Sequence, residues 1–373
     1  MKYFSAKDTL TVKGAAIIMM LIHHCFRTGA ALSFDKHNII CAPFTRSQVT
    51  NIADFGKMCV PLFAFLSGYG LYLSLRSSGK RSWCPVHLIK TLSGFWCIVI
   101  VQWVIYLVTS DQISRFYFKE GKLRGCLKMT AEFFGLSDLL GFKTLDGGWW
   151  YMGTAVFFIA AAPLLFYAVK KAGAFSVLMI SCLIPYVFKL GFLGNHPLSF
   201  LPVFCVGICF AEYSVFDRIG AALEALKKRS VLLFIVYLLA VAAAVLASYK
   251  LYTLLDFKNY FLIKYMIVPT VVIVFLATVI CRIPYLKTAL GFLGKHSYNI
   301  YLIHLLIRSR FNDIIYAPKH WLLITAALLT ASLAVSLAVE GIKHLTRYGS
   351  LIGKLTAAVQ KTDNYNSEKE VSL

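Results

Sequence analysis

Long apolar runs separated by short polar breaks set the pattern of this chain. Ten runs approach or exceed the roughly 20 residues that a helix needs to cross a hydrocarbon core. They fall near 11–30, 52–75, 86–109, 148–169, 174–193, 198–216, 231–249, 260–281, 289–310 and 321–342. The runs are continuous and too long for the strands of a membrane barrel. The pattern therefore predicts an all-α, polytopic membrane protein with about ten transmembrane helices. The longest breaks are 31–51, 110–147 and the polar end from 354. No internal repeat is visible, so residues 1–353 read as one membrane domain and 354–373 as a disordered polar tail.

Composition agrees. Of 373 residues, 59% are hydrophobic and 15% charged, against about 25% charged in a soluble domain. The net charge of +21 would suggest nucleic acid in a soluble protein. Here the cations crowd into loops between apolar runs, as the positive-inside rule and anionic lipid require, and nucleic-acid binding is set aside. Arg76, Lys80, Arg81, Lys170, Lys171, Arg218, Lys227, Lys228, Arg229, Arg282, Lys287, Lys343 and Arg347 follow alternate runs. With Lys2 and Lys7 they place both termini in the cytoplasm. Arg308, Arg310 and Lys319 are exceptions on the opposite side. In 110–147 six basic residues are nearly balanced by Asp111, Glu120, Glu132, Asp138 and Asp146. The amphipathic stretch GCLKMTAEFFGLSDLLGF within that loop predicts an interfacial or re-entrant helix on the outer face. Most of the ten cysteines lie in apolar runs, without CxxC or any zinc-like ligand spacing, and read as small buried hydrophobes. No metal site is expected.

The first run carries the chemistry. Between Gly14 and Phe26 there is no Asp, Glu, Lys or Arg, yet His23 and His24 lie deep inside. An unpartnered polar side chain in hydrocarbon costs roughly 2 kcal/mol or more. Lys13 and His24 are eleven residues apart, about three helical turns, and so share one face ~16 Å apart along the axis. His23 points about 100° away. Snorkelling is the structural explanation for Lys13, and a hydrogen bond to a neighbouring helix is the one for His24. In CVPLFAFLSGYGLYLS (59–74), Ser67 and Gly68 suit either close helix contact or the wall of a cavity. GGWWYMGTAVFFIAAAP (147–163) opens with Trp149, Trp150 and Tyr151, the composition of an interfacial aromatic belt. In SYNIYLIH (297–304), Ser297, Tyr301 and His304 fall on one helix face and form a polar stripe. The start Ser5-Ala-Lys-Asp8 has the form of a capping box.

Taken in order, these segments resemble the type 3 family of membrane acyltransferases, the bacterial O-acyltransferases of cell-surface glycans. The family pattern of Arg or Lys, ten residues, then His is met by Lys13 and His24. Its FFFLSGF segment matches Phe63 to Tyr69, with Ser67 and Gly68 in place. Its tryptophan-led span matches Trp150, Phe158 and Pro163, and its SYxxYLxH matches Ser297, Tyr298, Tyr301 and His304. LPVFCVGICFAE (201–212) is similar to a recurrent FxxGxxxA span. Two positions depart. The Glu that many members carry five residues after the tryptophan is Ala155, and the second of two arginines opening span three is Ser93, with Lys90 at the first.

The resemblance implies transfer of an acyl group, usually acetyl, from cytosolic acyl-CoA to a hydroxyl of a surface glycan or lipid-linked sugar. No bound cofactor is implied; acetyl-CoA is the co-substrate. His24 would act as the base, and Lys13, Lys90 and Arg81 would hold donor phosphates. His23, Ser67, Gly68, Trp150, Tyr301 and His304 would line the cavity. The site would lie in the bacterial cytoplasmic membrane, connecting a cytosolic donor with an acceptor on the outer face. The competing class is an exporter of lipid-linked sugars or other small amphiphiles, against which stand the missing inverted repeat and paired broken helices.

Overall fold

The computed structural model describes residues 3–28, 31–78, 80, 82–109, 111–188, 195–255 and 260–371. In chain order the helices are α1 (Ala6–Phe26), α2 (Ala31–His37), α3 (Arg46–Phe55), α4 (Cys59–Ser78), α5 (Trp83–Thr109) and α6 (Gln112–Tyr117). They continue with α7 (Lys122–Phe133), α8 (Trp150–Ala172), α9 (Ala174–Val187), α10 (Leu201–Glu212), α11 (Val215–Arg229) and α12 (Val231–Leu254). The last are α13 (Val268–Thr278), α14 (Pro284–Arg310), α15 (Asn312–Tyr316), α16 (Trp321–Leu345) and α17 (Tyr348–Val371). Among the described residues there is no named strand; Ile40 and His320 form an isolated bridge.

All ten predicted runs are helical where described, but they are not ten equal spans. Among the described residues seven segments are long and apolar enough to cross a membrane, and the bent pair Pro197–Glu212 and Val215–Arg229, at 60°, makes an eighth if it counts as one span. Helix α9 has only 14 residues. Helix α14 has 27 but carries Lys287, Lys295, Arg308 and Arg310, too many charges for a purely lipid-facing rod. The end expected to be a disordered tail is helical in α17 through Val371. Its Ala, Lys, Gln and Glu content favours a helix wherever tertiary packing does not decide.

Two compact units are present: 1–72 with 168–334, and 73–167 with 335–373. In the first, α1 is the central helix. Val12, Ala16, Ile17, Leu21, Cys25 and Phe26 are wholly buried, which places apolar residues inward around most of its circumference. Ser5 caps it: its side chain meets the Asp8 backbone N–H at 3.4 Å and the Asp8 carboxylate accepts from the Ser5 backbone at 2.8 Å, the expected capping box. Helix α12 behaves oppositely, with Leu232, Leu239 and Leu246 exposed as a lipid-facing surface requires.

In the second unit, the stretch predicted as an interfacial helix supplies α7, which ends at Phe133. Glu132 on it is buried at 1% exposure rather than serving as a surface counter-charge. Its carboxylate accepts from the Tyr117 hydroxyl and, at 2.7 Å, from the Leu145 backbone N–H. Trp103 Nε1 donates to Tyr117 at 3.0 Å, and Trp96 Nε1 to the Phe133 carbonyl at 2.7 Å. The loop is thus fastened by buried polar contacts onto α5.

Candidate active site

The site begins with two glycines. A Cβ on Gly14 would lie 2.0 Å from the Leu290 carbonyl oxygen, and one on Gly294 would lie 1.9 Å from that of Leu10. Only glycine allows the backbones of α1 and α14 to approach so closely. Thr11 reinforces the crossing, its hydroxyl donating to the Lys287 carbonyl at 3.2 Å. Nearby, buried Asp8 pairs with Lys287 at 2.7 Å and Arg282 at 3.7 Å. The helices run parallel, and each places a histidine ten residues beyond its glycine: His24 after Gly14, His304 after Gly294.

Those histidines meet. The His24 and His304 rings have centroids 4.9 Å apart, and the His23 ring lies 5.1 Å from that of His24. His304 is fully buried. Its Nδ1 sits 2.8 Å from the Tyr301 carbonyl and 3.1 Å from that of Ile300. Carbonyls only accept, so Nδ1 carries the hydrogen and Nε2 the lone pair. That Nε2 is buried with no hydrogen-bond partner among the described residues. His23 is fixed likewise, Nδ1 lying 2.8 Å from the Ala53 carbonyl. His24 is half-buried, and its ring makes no hydrogen bond among the described residues. Of these three neighbouring imidazoles, those of His23 and His304 are held by backbone carbonyls and that of His24 is not.

The C-terminal end of α1 is completed from α14 and α15. The last carbonyls of a helix have no partner within it. Arg308 donates its guanidinium to the His24 carbonyl, and the Tyr316 hydroxyl donates to that of Cys25 at 3.2 Å. A cation there also suits the negative end of the helix dipole. By the distribution of loop cations alone, Arg308 is an exception on the opposite side of the membrane. Its spacing of four residues from His304 was the available signal, since it puts both on one face.

The other expected site residues divide. Lys13 is half-buried on α1 with no hydrogen bond or ion pair among the described residues. Tyr301 is half-buried on α14, its carbonyl holding His304. Gly68 serves a helix crossing, because a Cβ there would lie 2.0 Å from the Phe204 carbonyl; Gly207 answers from α10, 2.2 Å from the Phe65 carbonyl. Ser67 beside it is half-buried. Lys90 and Trp150 belong to the second unit, Lys90 exposed on α5 and Trp150 opening α8 with its ring 5.7 Å from Tyr151. Arg81 lies outside the described residues.

A multi-helix membrane protein with a paired-imidazole centre at a glycine-mediated crossing is the class that fold and site define. The chain belongs to the acyltransferase 3 family, whose acyltransferase domain matches residues 11–341, and is thus an integral membrane acyltransferase. Comparison with curated proteins and with solved structures gave no match.

Proposed function

We propose that the protein transfers an acyl group, acetyl by family resemblance, from cytosolic acyl-CoA to a hydroxyl of a cell-surface or lipid-linked glycan. The membrane would be the bacterial cytoplasmic membrane. The observation that carries the reading is the His24 ring, half-buried and without a hydrogen-bond partner among the described residues, beside an immobilised His304. A neutral imidazole suits general-base work at neutral pH. His24 takes the proton of the acceptor hydroxyl as its oxygen attacks the thioester carbonyl. The carbon–sulfur bond then breaks, and the protonated His24 returns the proton to the departing CoA thiolate. His304 positions His24 through ring contact.

Lys13 lies on the same stripe as His24 and near the N-terminal end of α1, which suits it to a donor phosphate. Lys90 and Arg81 are proposed as further donor cations. Membranes containing the protein are incubated with acetyl-CoA labelled in the acetyl group, and surface glycan is assayed for label. The reading expects transfer with the parent chain and its near-loss with His24→Ala at matched protein level. Equal labelling by both would overturn it.

A further inference from the structure

The end of α4 is joined to the start of α5 by three side chains that the acyl-transfer reading leaves unused. Ser74 stands one turn before the end of α4, and Trp83 and His87 stand one turn apart at the start of α5, all within the second unit. Hydroxyls on helices commonly donate back to a carbonyl three or four residues earlier. Ser77 does so to Ser74 at 2.9 Å, Thr278 to Val274 at 2.8 Å and Thr325 to Trp321 at 2.9 Å. Ser74 turns elsewhere. Its Oγ lies 3.3 Å from His87 Nε2 and accepts from Trp83 Nε1 at 3.0 Å.

The ring settles where the proton goes. His87 Nδ1 sits 2.9 Å from the Trp83 carbonyl, which can only accept. In the neutral ring Nδ1 therefore carries the hydrogen and Nε2 the lone pair. The indole N–H of Trp83 takes a lone pair of Ser74, so the serine hydroxyl donates to His87 Nε2. Trp83 also stacks on the imidazole, with centroids 4.1 Å apart and planes inclined by 27°, and holds it in place. A serine hydroxyl bonded to an imidazole whose far nitrogen is oriented by a third group is the arrangement that activates a serine nucleophile. The 3.3 Å separation is within the looser range that such pairs show before substrate binds. Ser74 and His87 are half-buried, and exposure begins at Arg76 and Ser77. The loop cations assign this edge to the cytoplasm, the side that holds acyl-CoA. Lys90, exposed about one turn beyond His87, acts on it by charge and suits the phosphates of such a donor.

We propose that Ser74 and His87 form a second acyl-handling centre, which cleaves cytosolic acyl-CoA through an acyl-serine when no glycan acceptor is present. The inference takes its donor from the acyl-transfer reading and uses none of the histidines of the first unit. Ser74 Oγ bonds to the thioester carbonyl carbon while His87 Nε2 takes the hydroxyl proton. The carbon–sulfur bond breaks, and His87 returns that proton to the departing CoA thiolate. A water molecule then attacks the ester carbonyl, giving a proton to His87. The bond to Ser74 Oγ breaks, the proton passes back to that oxygen, and the free carboxylic acid leaves.

A hydroxyl that merely clips α4 to α5 is inert to electrophiles, and this separates the two roles on the detergent-purified full chain. One probe is a biotinylated fluorophosphonate, which bonds to activated serines; the other is acetyl-CoA, offered without a glycan acceptor and quenched in acid. Peptide mass spectrometry locates the adducts, and release of the CoA thiol gives the rate. The parent is expected to carry both adducts on Ser74 and to release CoA steadily. Ser74→Ala should carry neither and release CoA no faster than acetyl-CoA alone. His87→Gln should slow both reactions by about 10²–10⁴, the usual loss for a general base. Glutamine can still bond the serine hydroxyl, so that loss reads the base and not the helix contact. Ser77→Ala, changed at an exposed position three residues on, should match the parent. Absence of either adduct at Ser74, CoA release by Ser74→Ala at the parental rate, or an unslowed His87→Gln would each overturn the proposal. Both adducts on Ser74 in a protein that acylates no glycan would uphold it and remove the glycan acceptor alone. Glycan acylation without those adducts would remove this centre and leave the transfer reading in place.

Discussion

His24 and His23 are adjacent in sequence and unlike in surroundings, and that difference is testable one residue at a time. His23 is held to the Ala53 carbonyl at 2.8 Å, whereas His24 faces another imidazole across 4.9 Å. Loss of a general base costs about 10²–10⁴ in rate. His24→Ala is therefore expected to lose nearly all acyl transfer while remaining inserted, and His23→Ala to lose much less. Transfer assays at matched protein levels decide it, and a dead His23→Ala beside an active His24→Ala would move the base to the other ring. Lys13→Ala should raise the KM for acyl-CoA, and Lys13→Arg should retain donor use because a guanidinium also pairs with phosphate. The measurement is initial rate across a range of acetyl-CoA concentrations; an unchanged KM in Lys13→Ala would leave the lysine no donor role. The stripe joining Lys13 to His24 was legible because an eleven-residue gap is fixed by helical period alone. So was the polar face of Ser297, Tyr301 and His304. The contact of Arg308 with the His24 carbonyl was not, since the two residues are 284 positions apart and only the folded pairing of α1 with α14 brings them together.

At the scale of elements, glycine spacing mattered more than the sequence suggested. Nothing in the sequence singles out Gly14 and Gly294 among 24 glycines, yet they set the contact between α1 and α14. Gly14→Ala or Gly294→Ala must push backbone against backbone, so each is expected to lower the melting temperature in detergent and to weaken transfer by separating the histidines. Gly70→Ala has open space around its Cβ and should melt like the parent. A Gly14→Ala protein with unchanged melting and activity would show that the helices tolerate separation. The loop after α5 gives a pH test. Burial, aided by the charge of Asp146, pushes the Glu132 carboxyl up to about 7, against hydrogen bonds from Tyr117 and the Leu145 N–H that favour the anion. The folded value lies above the ordinary 4.5. The stability linked to this group is therefore complete below about 4.5 and is lost as pH rises through about 7. Hydrogen exchange in 111–149, corrected for intrinsic rates, should quicken between pH 5 and 8 in the parent. Glu132→Gln should flatten that dependence; a variant with the parent's profile would exclude Glu132 as its source. Sequence counted this residue among the surface acids because amphipathic period alone does not show that Tyr117 and Leu145 close over it.

For the whole molecule, the hydropathy pattern found helices reliably because every run must satisfy its backbone polar groups internally in lipid. It gave ten runs where the described residues hold seven or eight candidate spans, because it measured apolar length without the bends and charges that follow from packing. The 60° break between α10 and α11 and the charged face of α14 are tertiary features. The sidedness read from loop cations supports a direct experiment, for the chain supplies its own probe. Cys126 is exposed, whereas the other nine cysteines are buried or partly so. It stands in the 110–147 loop, expected on the outer face, while Lys228 follows a run whose loop is expected in the cytoplasm. A membrane-impermeant maleimide applied to intact cells should label Cys126 without permeabilisation, and Cys126→Ser should abolish that signal. A cysteine introduced by Lys228→Cys in the Cys126→Ser background should be labelled only after the cells are opened. The reverse pattern would invert the molecule, turn the Lys13 end of α1 away from cytosolic acyl-CoA, and remove the physical basis for assigning the donor to that end.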